Sequence, residues 1–129
     1  MIPALLAVSL TALSWDDGRV KLNVPSTVQV RERKENFETM EYDLFEGDGT
    51  QPLLTIIDGG GAYDFTKYKK LCLNGRQAWG WDLSGSGSVV VGEPGFSAVA
   101  AYWEDLSGER LDEAKAIVNS IRIDFGLTC

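Results

Sequence analysis

Cys72 and Cys129 are the only cysteines in a chain of 129 residues that contains no histidine. An even count in an oxidising compartment pairs most simply into one disulfide, and a bridge that closes so long a loop stabilises by roughly 4 kcal/mol through restriction of the unfolded chain. The alternative is two unrelated thiols, Cys72 in the interior and Cys129 on a loose tail. Without histidine there is no Ser-His-Asp or Cys-His nucleophile, and without a Cys-x-x-Cys spacing neither a zinc site nor a redox site is expected. What remains for catalysis is carboxylate chemistry. Asp58, Glu93, Glu104 and Asp105 fall at expected strand ends, and two such groups about 5–9 Å apart serve glycoside hydrolysis. Acids in such positions more commonly end turns in solvent. The chain therefore reads as a non-enzyme with no cofactor and no metal, and a carboxylate-based hydrolase is the lesser alternative.

The glycine-rich stretches do not form phosphate loops. Gly85-Ser86-Gly87-Ser88 leads into a strand instead of a helix N-terminus and no lysine follows it. Asp58-Gly59-Gly60-Gly61 reads as a turn with awkward backbone angles, and Glu46-Gly47-Asp48-Gly49-Thr50 lacks the downstream glutamate of a calcium loop. Tryptophan is more informative. Trp79 and Trp81 stand two apart in an expected strand and so share a face, with Trp103 in a later strand. Between them Ala78, Gly80 and Asp82 are small or polar, which favours the tryptophans as the buried set; on a solvent face they would form an aromatic platform for a sugar, a lipid or a protein. Partner binding is assigned to loops around Asp58–Tyr63, Ser84–Ser88 and Gly92–Phe96, with Asp58, Tyr63, Phe96, Trp79 and Trp81 as the candidate residues.

These residues need a scaffold, and the pattern of apolar positions supplies one. Leu111, Ala114, Ile117, Val118 and Ile121 recur at helical spacing within residues 107–121, predicting an amphipathic helix that needs a sheet to lie on. Ahead of it, Val20, Leu22 and Val24, then Val28 and Val30, then Met40, Tyr42 and Leu44 alternate with polar residues as half-buried strands do, and Leu53 to Ile57 is a continuous apolar run. Phe65, Tyr68, Leu71 and Cys72 suggest a short helix near 64–71, capped by Asp64. Asn74-Gly75 signals a tight hairpin leading into a strand from Arg76 to Leu83. The expected fold is α+β, an antiparallel sheet with the 107–121 helix packed on one face, in a single domain from residue 15 to 129. Residues 1–14 carry no charge and end with Ala12 and Ser14 in the small-residue positions of a cleavage site, the pattern of an export signal without its basic start. The same segment is alternatively a first strand or helix of the domain. With a hydrophobic content of 44% the chain can build a core, and no stretch is long enough to span a bilayer as a helix.

Strands, a short helix, the hairpin Asn74-Gly75-Arg76, further strands and a closing helix that ends in Asn119-Ser120-Ile121-Arg122 follow one another in an order that resembles the PsbP-like domains. The likeness spans residues 15–125. It implies an accessory, assembly or binding protein without catalysis, and it carries over no active site. A net charge of −7, from 12 basic and 19 acidic residues, argues against nucleic acid and anionic membranes and suits a basic protein partner. The expectation is thus a periplasmic or secreted binding protein of the cell envelope. An immunity protein that neutralises a secreted toxin is the alternative.

Overall fold

A computed structural model describes residues 10–15, 18–34, 39–47, 49–59, 68–83, 85–93 and 97–129. In chain order the elements are β1 (Leu10–Trp15), β2 (Val20–Pro25), β3 (Val28–Lys34), β4 (Thr39–Glu46), β5 (Leu54–Gly59), β6 (Lys69–Leu73), β7 (Arg76–Leu83), β8 (Ser86–Glu93), β9 (Ser97–Trp103), α1 (Gly108–Asn119) and β10 (Arg122–Ile123). Seven strands form one sheet in the order β3-β4-β5-β9-β8-β7-β6, and three form a second in the order β1-β2-β10, all neighbours antiparallel. The balanced α+β expectation is therefore corrected: the described chain is mostly β, with one short helix. Lys69–Leu73, expected at the end of a helix near 64–71, is instead strand β6. The reason is the hairpin that pairs this segment with β7. Asn74 and Gly75 both adopt positive φ, 50° and 85°, which closes a two-residue hairpin and sets Leu73 opposite Arg76. Residues 64–67 lie outside the described residues.

Alternation sorts the large sheet into two faces. Val28, Tyr42, Leu44, Leu54, Ile56, Ala78, Val91, Val99, Ala101 and Trp103 point to one side and join Val20, Leu22 and Val24 of β2, Ala114, Ile117 and Val118 of α1, and Ile123 of β10 in a single core. The helix and the small sheet thus cover one face of the large sheet. On the opposite face Val90, Ala98 and Ala100 form a smaller cluster against Tyr68. Leu10–Trp15, all but its last residue within the 1–14 segment expected as an export signal or a first strand or helix, forms the edge of the small sheet and pairs with Val20–Pro25. Its side chains from Leu10 to Ser14 are exposed except for the partly buried Leu13.

Both ends of the second half are tied down by polar contacts. Asn74 Nδ2 donates to the carbonyls of Asn119 and Ile121, at 3.0 and 2.6 Å, so the hairpin turn satisfies acceptors that the helix C-terminus leaves open. Ser120 Oγ accepts from the amide of Asn23 and donates to the carbonyl of Ile117, tying the helix to β2. The last residues run beside β7: Gln77 N donates to Leu127 O at 2.7 Å, Arg76 Nη1 to Gly126 O at 3.0 Å and Cys129 N to Gly75 O at 3.1 Å. The disulfide Cys72–Cys129 completes this attachment, with a Cα–Cα distance of 5.9 Å across a sequence separation of 57. No helix among the described residues is long and apolar enough to cross a membrane.

Candidate functional site

The register of six strands places one residue from each in a line across the face that turns away from the main core. Trp81 lies opposite Ser88, Ser88 opposite Tyr102, Tyr102 opposite Thr55, Thr55 opposite Asp43, and Asp43 opposite Arg31. Directly paired residues share a face, so this row is a stripe of aromatic, hydroxyl and charged groups. Tyr68, just before β6, adds a second ring whose centroid lies 6.1 Å from that of Trp81, and its hydroxyl is 2.9 Å from Ser88 Oγ. At the other end Thr55 Oγ1 donates to Asp43 Oδ1 at 3.0 Å, and Arg31 lies 4.1 Å over the Phe45 ring.

Two hollows adjoin along this stripe. One of about 220 Å³ is lined by Tyr68, Trp81, Ser86, Ser88, Tyr102 and Glu104. The other, about 610 Å³, includes Asp43, Thr55, Tyr102, Glu104, Asp105 and Arg110. Tyr102 and Glu104 line both, so the two form one groove with an aromatic half and an acidic half. Arg110 is the cation of the acidic half, and its Nε is engaged 3.6 Å from Glu46. The β7–β8 turn shapes the near wall: Gly85 has φ 91°, its carbonyl accepts from Leu106 N at 2.9 Å, and a Cβ there would come 2.2 Å from Leu106 O. Only glycine fits so close an approach in that conformation. Of the expected Ser84–Ser88 loop, Ser86–Ser88 already belong to β8, with Ser86 opposite Leu83, and Ser84 lies outside the described residues.

The sequence candidates divide. Trp79 and Trp81 do share a face, but it is not the core face. Ala78 between them is fully buried in the core, while Trp81 is 40% exposed. The physical reason is packing: Ala78 lies wholly inside the core, and the Leu71 side chain lies over Gly80, where a Cβ would come 2.6 Å from its Cδ1. Small residues here mark the packed side and not the open one. Trp79 stands one row inward, opposite Val90. Asp58 pairs with Val99 at the start of β9, the end of the sheet remote from Trp81. Tyr63 and Phe96 lie outside the described residues.

The four carboxylates considered for catalysis also separate. Asp58 and Glu93 sit at the end where β9 begins, Glu104 and Asp105 where it finishes. Five residues of strand between the Asp58 and Glu104 levels amount to about 17 Å, well beyond the reach of a carboxylate pair acting on one bond. Tyr68, Tyr102, Thr55 and Asp43 belong to the groove and were not singled out from sequence. Strand parity carries the missing signal: each has the same parity as a groove neighbour once the register is known. Asp43 and Glu41 read as solvent-facing in their strand, yet both are buried, at 9% and 4% exposure. Among the described residues no group of three or more His, Cys, Asp or Glu is placed to hold a metal ion. No family of known proteins, no characterised protein and no solved structure matches the chain.

Proposed function

We propose that this protein is a non-catalytic binding or accessory module of the cell envelope, periplasmic or secreted, which holds a basic, extended segment of another protein along the groove from Trp81 to Asp43. The observation that carries the reading is the exposed Trp81 ring beside Tyr68, in a groove whose other half holds Asp43, Glu104 and Asp105. Aromatic rings supply apolar contact area and a face for cations, and carboxylates neutralise them. The net charge of −7 draws the same class of partner at longer range. The disulfide supports an oxidising compartment.

The test is fluorescence anisotropy with a labelled arginine-rich peptide, an acidic peptide of equal length serving as control. The basic peptide should bind more tightly, with an affinity that falls as salt rises, and Trp81→Ala should weaken it by about tenfold, or 1.4 kcal/mol. Glu104→Gln should weaken it further. Equal binding of both peptides, or an unchanged affinity in the folded Trp81→Ala protein, would discard this reading.

A further inference from the structure

A second cavity opens between α1 and the β6–β7 edge, and it meets the aromatic hollow of the groove at Trp81, Ser88 and Trp103. Its volume is about 440 Å³, within the range of about 300–1,000 Å³ typical of small-molecule sites. Leu71, Val89 and Val118 form apolar walls over a floor at Gly80. Register places Asp82, Gly87 and Trp103 in the next row on this face. The Trp103 indole reaches across Gly87, where a Cβ would come 2.5 Å from Cζ2. Trp103 and Asp82 both line the cavity at this end. Trp103 is 5% exposed and its Nε1 is buried without a hydrogen-bond partner among the described residues. Lys115 Nζ stands at the same end, donating to Asp82 Oδ2 at 2.8 Å, and Lys69 is exposed on the rim.

A buried N–H without an acceptor carries an unrecovered desolvation cost, which a ligand oxygen would offset. Two ammonium groups against one carboxylate leave a local charge of one positive unit in a chain that is otherwise strongly acidic. We propose that this cavity binds a small amphipathic monoanion, a medium-chain carboxylate, with its hydrocarbon along Leu71, Val89 and Val118 and its carboxylate between Trp103 Nε1 and Lys115. The ligand would share Lys115 with Asp82 or displace it. The site borders the peptide groove at Trp81, Ser88 and Trp103, but the proposal does not rest on peptide binding there.

Isothermal titration with decanoate below its micelle concentration is the direct test, with decyltrimethylammonium as a probe of equal chain length and opposite charge. Decanoate should bind at least tenfold more tightly than the cation, and its addition should shift one indole N–H resonance, the one lost in Trp103→Phe. Lys115→Met keeps the aliphatic stem and removes the charge, so it should weaken decanoate about tenfold while leaving the cation unaffected. This variant keeps the test decisive even if Trp103→Phe fails to fold. Absence of binding, equal affinity for the two probes, or full decanoate affinity in folded Lys115→Met would each overturn the proposal.

Discussion

At the scale of single residues, Glu113 shows how a helix face can carry a pH dependence. Its Oε1 is buried without a hydrogen-bond partner among the described residues, and Glu46 at the end of β4 is its neighbour. Burial raises the Glu113 pKa above its ordinary value, the charge of Glu46 and a hydrogen bond with it raise it further, and Arg110 opposes them. The folded chain therefore holds a proton that the unfolded chain gives up sooner. The stability this contributes is fully present below the ordinary carboxylate value and is lost as pH rises through the raised one. Glu113→Gln fixes the neutral form. At neutral pH the variant should unfold at higher urea than the parent, and the gap should close as pH falls to about 4. Urea midpoints measured across that interval check this, and parallel curves would show that folding does not raise the Glu113 pKa. Trp81 is the residue whose environment the sequence misrepresented. Its neighbours Ala78 and Gly80 look like a solvent face by composition, yet Ala78 lies in the core and the Leu71 side chain covers Gly80.

The elements themselves were largely legible. The helix expected over 107–121 is found as Gly108–Asn119, and the strand expected from Arg76 to Leu83 has those bounds. Each had a signal that depends only on near neighbours: apolar residues at helical spacing in one case, an Asn-Gly turn in the other. Ala114, Ile117 and Val118 are the buried residues of α1, whereas Leu111 is only partly buried. Ile117→Asp should therefore abolish cooperative unfolding or cost about 3–5 kcal/mol, with Leu111→Asp costing distinctly less. Circular dichroism during urea titration distinguishes the two, and equal losses would mean that the helix is rotated from the position described. The stretch at 64–71 misled because Tyr68, Leu71 and Cys72 are spaced for a helix. Pairing with β7 decides the conformation of Lys69–Leu73, and a contact of that kind is invisible to periodicity. The groove was illegible for the same reason. Its members come from six strands and a loop, and only the register brings Trp81, Tyr102 and Asp43 into one row.

For the molecule as a whole, the cysteine count forecast the bridge, but the sequence did not reveal how thoroughly the tail is held. Backbone bonds from Gln77 and Cys129, and the Arg76 side chain, secure the final residues alongside the disulfide. Cys129→Ser should lower stability by up to about 4 kcal/mol, less whatever native alignment the hydrogen bonds retain. Thermal unfolding with and without reductant separates the contributions: the parent should respond to reduction and the variant should not. The sheet order has a different consequence, one of time. Strands β3, β4 and β5 follow one another in both sequence and space, as do β6, β7, β8 and β9, and the single seam β5–β9 unites them. Each meander can zip from its own turns with little loop-closure entropy, while the seam must bring distant segments together. Until it closes, Leu54–Gly59 and Ser97–Trp103, two of the most apolar strands in the molecule, each present an open edge to any chain nearby. Folding then competes with intermolecular pairing at the very edges that later lie deepest in the finished sheet.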